Sequence, residues 1–149
     1  MPTFTVSSRF DAHNAAHLVR ATLIVSVCAQ ANKLCFPDVP HLHIDMPQYA
    51  GPKNTLDAVK KLIDIGTSLK ENDVVLVHCG QGICRSPAAE ILLHLSWIRR
   101  TGEPITPAIV RNVFSQLKAQ RPNARPDKMM LILGDNELQL DGQLLENMT

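Results

Sequence analysis

The sequence predicts an α/β fold: a single domain over residues 1–149, in which helices flank a central, mostly parallel sheet of about four to five strands. Short apolar, β-branched runs alternate with longer segments of helical spacing. The two most continuous runs, Leu23–Val27 and Val74–Val77, are typical of strands buried on both faces. A chain of 149 residues without an obvious linker also has the size of one domain.

The elements follow in chain order from these patterns. Strands are predicted where β-branched apolar residues cluster, at Phe4–Val6, Leu23–Val27, His41–Ile44 and Val74–Val77. Helices are predicted where the apolar spacing is helical, at Arg9–Val19, Thr55–Leu69, Pro87–Ile98, Pro104–Gln120 and Asp127–Leu140. Asp11 and Asp127 are acidic start signals for the first and the last of them. Glycine and proline predict loops at Tyr49–Asn54 and Arg121–Pro126.

Composition narrows the classes of function. Fifteen Lys and Arg face fourteen Asp and Glu, so the formal net charge is +1 and no general nucleic-acid binding is expected. No apolar stretch approaches the ~20 residues of a transmembrane helix, and the first ten residues lack the pattern of a signal peptide. We therefore expect a cytoplasmic protein without a membrane partner, in which any anion is bound by a local site.

Four cysteines, Cys28, Cys35, Cys79 and Cys84, are expected to be reduced in that compartment, with at least one kept for chemistry. We interpret Cys28 and Cys35 as core residues. The chain has no Cys-x-x-Cys pair, and His78 is poorly placed to share a metal ion with its neighbour Cys79. The sequence therefore predicts no metal site and no cofactor.

The stretch Val77–Pro87, VHCGQGICRSP, joins the most convincing strand to the most apolar helix. Its two glycines let the backbone turn several N–H groups inward, and the following helix adds the positive end of its dipole. Five residues separate Cys79 from Arg85, a spacing that can bring sulfur and guanidinium into one concavity. Arginine binds phosphate oxygens in pairs, and the same surroundings favour the nucleophilic thiolate. The predicted phosphate-binding residues are Gly80, Gln81, Gly82, Ile83, Cys84 and Arg85.

The segment HCGQGICRS resembles the HCxxGxxRS signature of the protein tyrosine phosphatase superfamily, and the flanking strand and helix match as well. The resemblance covers approximately residues 23 to 123 and implies a tyrosine-phosphatase-like fold. It implies that Cys79 is a nucleophile forming a phosphocysteine, that Arg85 binds phosphate, and that the Ser86 hydroxyl assists the sulfur as leaving group. The resemblance also implies that His78 supports the low pKa of the Cys79 thiol through the surrounding hydrogen bonds. A purely structural hydrogen-bonding role for His78 is an equal alternative.

Phosphate hydrolysis also needs a general acid and base, which one aspartate can supply. Asp57 lies inside a predicted helix and is interpreted as a solvated first-turn charge. Asp38, in the run FPDVP, resembles the WPD motif of larger tyrosine phosphatases and is a rival candidate. Asp45 is favoured because it follows a predicted strand and should emerge at the same sheet end as Cys79. Its surroundings, HLHIDMP, also resemble the acid loop of dual-specificity phosphatases.

Two further features place the chain within the superfamily. The run ICRSP resembles the low-molecular-weight tyrosine phosphatases, but their loop is near the amino terminus and their acid precedes a proline. Here the loop is central and no Asp-Pro pair exists, so the order resembles the small dual-specificity-like enzymes. In that group a segment similar to Arg121–Asn123 packs behind the loop.

Cys84 is interpreted either as a packing residue or as a redox partner that traps oxidised Cys79 in a disulfide.

The expected substrate is a phosphorylated protein, most simply phosphotyrosine with dual specificity included. The chain is too short for the additional phosphotyrosine-recognition loop of the larger enzymes, and the loop interior lacks the Lys of phosphoinositide-directed members. Small-molecule, lipid and RNA phosphates remain alternatives. A non-catalytic pseudophosphatase is less favoured because Cys79, Arg85 and Asp45 are all present. A rhodanese-like sulfur transferase is less favoured because of Ser86-Pro87 and Asp45. The sequence predicts no oligomeric state.

Overall fold

A wholly parallel sheet of four strands forms the centre of the computed structural model, which describes residues 1–148. The strands are β1 (Thr3–Ser8), β2 (Leu23–Cys28), β3 (His41–Asp45) and β4 (Val74–Cys79), and their order across the sheet is β1-β4-β2-β3. Each of the four predicted strands is present and slightly longer than predicted. The predicted α/β fold is therefore confirmed.

Helices cover both faces of this sheet. They are α1 (Ala12–Val19), α2 (Pro52–Ser68), α3 (Arg85–Arg100), α4 (Pro107–Gln120), α5 (Lys128–Leu138) and the short α6 (Gln143–Glu146). Helix α1 packs against β1 and β4, while α3 packs on the opposite face and is flanked by α2, α4 and α5. None of the helices within residues 1–148 is long and apolar enough to span a bilayer.

The alternation of side chains along β2 and β4 separates two apolar layers. Val25 and Val77 face the larger layer beneath α2 to α5, whereas Ile24 and Leu76 face the smaller layer beneath α1. Successive side chains of a strand point to opposite faces, so a strand covered on both sides is apolar at nearly every position. This explains why these runs were predicted correctly as strands.

The predicted starts of α2 and α4 are each wrong by three residues, and in both helices the first residue is proline. Tyr49–Asn54 was predicted as a loop, yet α2 begins at Pro52, because proline lacks only an N–H that the first turn leaves unpaired anyway. The helix predicted from Pro104 begins at Pro107. The Thr106 side chain accepts a hydrogen bond from the Ile109 N–H at 3.3 Å and so caps that start.

The acidic start of the last predicted helix is confirmed. Asp127 accepts a hydrogen bond from the Met130 N–H at 2.9 Å, and α5 follows directly. The helix ends at Leu138 rather than Leu140, because Gln139 adopts a left-handed conformation with φ 56°.

The two cysteines predicted to lie in the core differ. Cys28 is fully buried at the end of β2, as predicted. Cys35 is exposed, so that prediction was wrong. It lies in the irregular segment between β2 and β3, where the neighbouring Phe36 takes the buried place against Ile24.

Candidate active site

The loop that follows β4 lies at the carboxyl end of the sheet, the edge where ligands bind in open α/β folds. It borders a cavity of about 250 Å³. The cavity is lined by the loop and by three other segments, with Arg9, Phe10, Asn32, Gln48, Cys79, Gly80, Gln81, Ile83, Cys84 and Arg85 contributing. Six of these ten residues were predicted from the sequence, whereas the predicted Gly82, Ser86 and Asp45 are not part of the lining.

Each backbone carbonyl from Gly80 to Cys84 accepts a hydrogen bond from a neighbouring part of the chain. The donors are Arg9 N to Gly80 O at 2.9 Å, Arg121 Nη2 to Gln81 O at 3.2 Å, Arg121 Nε to Gly82 O at 3.1 Å, Arg125 N to Ile83 O at 2.7 Å and Asp127 N to Cys84 O at 2.9 Å. In a planar trans peptide the next residue's N–H points opposite to the carbonyl. The N–H groups of residues 81–85 are therefore directed to the opposite side, and the Gly82 N–H points to the Cys79 sulfur at 3.3 Å.

Gly82 is required by this loop for two reasons. Its φ of +74° lies in the left-handed region, which side chains disfavour. A Cβ at this position would also lie 2.7 Å from the Ser7 carbonyl carbon and 2.5 Å from Arg121 Nη2. The close approach to β1 and to Arg121 is therefore possible only for glycine.

Cys79 is 2% exposed and lines the cavity. Burial by itself raises the pKa of this thiol. Hydrogen bonds from the side chain and backbone of Ser86 and from Gly82, together with the positive charge of Arg85, outweigh burial and lower the pKa below its usual value. The Ser86 Oγ is 3.2 Å from the sulfur. These surroundings favour a thiolate.

Arg85 lies at the first residue of α3 and is buried. Its Nη1 donates a hydrogen bond to the Met46 carbonyl at 2.8 Å, which joins the loop to the segment that follows β3. A Cβ on Gly80 would lie 3.1 Å from its Nη2, so the guanidinium lies against the start of the loop. Because a guanidinium has five N–H donors, further donors are left for an anion in the cavity.

Asp45 ends β3 at the same edge of the sheet as Cys79, as its position in the sequence predicted. Strand β2 lies between β3 and β4, so the two residues are separated by two strand spacings, about 10 Å. The Asp45 Oδ1 accepts a hydrogen bond from the Gln30 N–H at 3.0 Å. This hydrogen bond holds the carboxylate in place, and Asp45 itself is not part of the cavity lining.

The rival acid candidates lie elsewhere. Asp38 lines a separate cavity, which it shares with residues of α1 such as His13 and His17. It precedes β3 and belongs to the opposite end of that strand from Asp45. Asp57 is exposed on α2, as expected of a solvated charge.

His78 is buried and lies on the same face of the sheet as Leu76, beneath α1. Its Nε2 pairs with the Ser26 hydroxyl, and its Nδ1 is 3.3 Å from the Cys79 carbonyl. The Ser26 Oγ is also 2.6 Å from His41 Nε2. If Nδ1–H donates to the carbonyl, then Nε2 accepts from Ser26 and His41 donates to Ser26.

Burial lowers the pKa of His78 to about 4, against a smaller opposing effect of its hydrogen bond to Cys79. The side chain is therefore uncharged at neutral pH. It orients the start of the loop through hydrogen bonds and contributes no positive charge to the thiolate.

Cys84 is partly exposed at the cavity. Burial, the nearby Cys79 sulfur and Asp127 raise the pKa of its thiol, against the lowering effects of Arg85 and Arg125. The two thiols therefore differ: the pKa of Cys79 is lowered and the pKa of Cys84 is raised. Cys28 likewise has a raised pKa, caused first by burial.

Sequence reasoning missed four residues that line the cavity: Arg9, Phe10, Asn32 and Gln48. Arg9 and Asn32 are bonded to each other, Nη1 to Oδ1 at 2.7 Å, although 23 positions separate them. These residues lie on turns and on a short 3₁₀ helix, Gln30–Asn32, without a motif, and only the tertiary fold brings them to the loop. Arg121, by contrast, was signalled by the similarity of its RPN segment to one that packs behind the loop.

Neither a family model nor a curated protein matches this sequence. Solved structures do match. Human DUSP28 is 19% identical over 94% of both chains with a TM-score of 0.66. A human tyrosine phosphatase-like serine/threonine/tyrosine-interacting protein is 18% identical over 92% of this chain and 91% of its own, with a TM-score of 0.65. The Yvh1 phosphatase domain from Chaetomium thermophilum is 23% identical over 95% and 93%, with a TM-score of 0.61.

These matches establish the fold. The chain has the same α/β fold as these phosphatase and phosphatase-like structures, and this is the fold that the HCxxGxxRS resemblance implied.

Proposed function

We propose that the protein is a cysteine-dependent phosphatase that hydrolyses phosphate monoesters, with protein phosphotyrosine as the favoured substrate. One observation carries the proposal: an acidified thiol, Cys79, shares a cavity with inward N–H groups and the Arg85 guanidinium. N–H donors and a guanidinium are suited to a phosphate dianion, and a thiolate is suited to attack it. The similarity of the fold to phosphatases supports the same reaction class.

In the first step the Cys79 thiolate attacks phosphorus, the sulfur–phosphorus bond forms, and the bond between phosphorus and the ester oxygen breaks. Asp45 donates its proton to the departing oxygen, which leaves as an alcohol or phenol. Arg85 and the loop N–H groups stabilise the charge on the three equatorial oxygens. The product is a phosphocysteine.

In the second step water attacks phosphorus and the sulfur–phosphorus bond breaks. The Asp45 carboxylate takes the proton of that water, and inorganic phosphate forms. The departing sulfur accepts a hydrogen bond from the Ser86 hydroxyl, 3.2 Å away, which stabilises it as a thiolate. The enzyme returns to its starting protonation state.

The rim of the cavity supports an aromatic substrate. Phe10 is 82% exposed although it lies at the cavity, and the Arg9 guanidinium lies 5.3 Å from the centre of its ring. An exposed ring can pack against the ring of a phosphotyrosine, which adds about 0.5–1.5 kcal/mol beyond area burial. This contact would be absent for phosphoserine.

Turnover of p-nitrophenyl phosphate tests the reaction class. Wild-type protein is expected to release p-nitrophenol in a vanadate-sensitive manner, and Cys79→Ser is expected to be inactive because an alcohol is not ionised at neutral pH. Cys35→Ser, an exposed cysteine away from the cavity, is the matched control and should keep full activity. If the wild type shows no vanadate-sensitive turnover but binds phosphate, the protein is a phosphate-binding pseudophosphatase instead.

The acidified thiol is testable without any substrate. The rate of alkylation of Cys79 by iodoacetamide is expected to rise with pH at a midpoint below the usual thiol pKa, because Ser86 and Gly82 stabilise the thiolate. Ser86→Ala should move this midpoint upwards. An unchanged midpoint in that variant would contradict the assigned role of the hydroxyl.

Substrate class requires a panel of phosphotyrosine and phosphoserine peptides, phosphoinositides, nucleotides and RNA 5′ phosphates, compared by kcat/KM. We expect phosphotyrosine to rank first and Phe10→Ala to reduce its advantage over phosphoserine by about 3- to 10-fold. Leu18→Ala removes another exposed apolar side chain away from this cavity and should not change the ratio. A higher kcat/KM for a lipid or nucleotide would replace the proposed substrate.

A further inference from the structure

A further cavity, of about 440 Å³, lies between the edge strand β1, the middle of α3 and helix α4. It is lined by Met1, Pro2, Thr3, Phe4, Thr5, Glu90, His94, Gln116 and Gln120. None of these residues belongs to the cavity that contains Cys79. The proposed phosphatase reaction makes no use of them.

Two polar side chains of this cavity, Glu90 and His94, are each only 2% exposed. They lie four residues apart on α3 and so share one face of the helix. The Glu90 Oε2 and both ring nitrogens of His94 have no hydrogen-bond partner, and 3.9 Å separates Glu90 Oε1 from His94 Nδ1. Buried polar atoms normally have partners, and a buried polar atom without one destabilises the fold.

The lining holds no Lys or Arg side chain that could neutralise the Glu90 carboxylate. Its remaining polar groups are two threonine hydroxyls and two amides. The Gln120 amide is already bonded to the edge of β1, at Phe4 O and Val6 N. The one cationic group, the Met1 ammonium, is bonded to Glu71 at 2.6 Å. Burial therefore raises the pKa of Glu90 to about 8 and lowers that of His94 to about 4.

Phe4 adds an aromatic wall to the carboxyl. Its ring is partly exposed and lies 5.0 Å from the His94 ring at an interplanar angle of 31°. The face of an aromatic ring attracts a cation. The cavity volume falls within the range of about 300–1,000 Å³ that small ligands occupy.

We propose that this cavity binds a small organic cation, an alkylguanidinium or alkylammonium, whose charged end pairs with the carboxylate of Glu90. The cation supplies the missing countercharge, and its N–H groups satisfy Glu90 Oε2 and the unprotonated nitrogen of His94. Its alkyl part lies along Phe4. On binding, the Glu90 carboxyl releases its proton to solvent, so the affinity rises with pH up to about pH 8.

The test uses the full chain and butylguanidine as the probe, with neutral pentanamide as its uncharged counterpart. Titration calorimetry in buffers of different ionisation enthalpy is expected to show saturable binding with release of nearly one proton at pH 7. Pentanamide should not bind. The peptide Gly-Gly-Arg-Gly-Gly is run in parallel, because binding of the peptide as well would identify an arginine side chain of a partner as the second source of the same cation.

Glu90→Gln keeps the shape of the protonated side chain and should weaken binding of butylguanidine at least 10-fold while leaving the protein folded. Gln116→Lys places a competing ammonium at the rim and should also weaken binding. Asn112→Lys makes the same change on α4 outside the cavity lining and should not. Absence of saturable binding, or equal binding by wild type and Glu90→Gln, would overturn the proposal.

Discussion

Helix α3 has buried polar groups at two places, and these differ in whether the groups have hydrogen-bond partners. At its first turn, Arg85 and Ser86 are bonded to Met46 and Cys79, and the loop before it has a partner for every carbonyl from Gly80 to Cys84. Further along the same helix, Glu90 and His94 are equally buried, yet most of their polar atoms have no partner.

The difference determines which protonation state each place stabilises. At the first turn, donors surround the sulfur and favour the charged thiolate despite burial. At Glu90 and His94 burial acts without opposition, and both groups are held uncharged at neutral pH. Burial alone therefore does not predict the ionisation of a side chain; the number of donors or charges directed at it decides the outcome.

The largest expected effect comes from breaking the donor arrangement with Gly82→Ala. The new Cβ would meet the Ser7 backbone and Arg121, and the loop N–H groups would be displaced. We expect kcat/KM for p-nitrophenyl phosphate to fall about 10³-fold, as when a preorganised oxyanion donor is lost. Gly102→Ala is the matched control, since Gly102 also has a positive φ, of 85°, but nothing lies near its missing Cβ. Equal losses in both variants would indicate general backbone strain instead.

Asp45→Asn is expected to lower kcat by about 10²-fold or more, because the amide can neither donate nor accept the catalytic proton. Phosphate binding, measured by competitive inhibition, should be preserved since Arg85 and the loop are untouched. Asp38→Asn serves as the control because Asp38 lines a different cavity. The assignment fails if Asp38→Asn causes the larger loss.

Arg121→Met removes the donors that hold the Gln81 and Gly82 carbonyls while keeping a long side chain. The loop N–H groups should then be less well oriented. We expect kcat/KM to fall about 10-fold, corresponding to ~1.4 kcal/mol, and the alkylation midpoint of Cys79 to rise. Arg111→Met, on the exposed face of α4, should change neither quantity. An unaltered midpoint in Arg121→Met would show that Arg121 stabilises the fold without preparing the thiolate.

Glu90→Gln tests the buried pair Glu90 and His94, and it should leave kcat unchanged while altering the pH dependence of stability. The folded carboxyl has a pKa of about 8 against a usual value of 4.5, so wild-type stability falls as pH rises through that window. The Gln variant lacks this loss. The free energy of unfolding of the variant minus that of the wild type should therefore be about 3 kcal/mol more favourable to the variant at pH 7 than at pH 4. Urea unfolding measures this, with exposed Glu137→Gln as the control. A pH-independent difference would mean that Glu90 is ionised in the folded protein.

The smallest and most reversible effect concerns oxidation. Mild peroxide is expected to attack Cys79, the acidified thiol, and a Cys79–Cys84 disulfide should then protect it from further oxidation. Mass spectrometry of tryptic peptides would detect the bridge, and activity should return with a thiol reductant. Over-oxidation of Cys79 without a bridge, or a bridge to Cys28 instead, would remove the redox role from Cys84.

Much of this protein was determined by local sequence. The strands Val74–Val77 and Leu23–Val27 were predictable because a strand buried on both faces needs an unbroken apolar run. The grouping of Cys79, Arg85 and Ser86 was predictable because six intervening peptide units can curl only within a narrow space between a strand and a helix. Asp45 was predicted correctly at the carboxyl end of the sheet, because parallel strands run in the same direction and their carboxyl ends lie together.

Only the tertiary structure decided the contacts between segments distant in sequence. The backbone N–H groups of Arg9, Arg125 and Asp127 bind loop carbonyls, and neither periodicity nor motif spacing reveals that they will do so. The RPN segment signalled Arg121, but not which carbonyls it binds. The sequence likewise showed Glu90 and His94 only as polar positions in an apolar helix. Their burial depends on how β1 and α4 pack against α3, and it is this packing, rather than the residue types, that leaves them without partners.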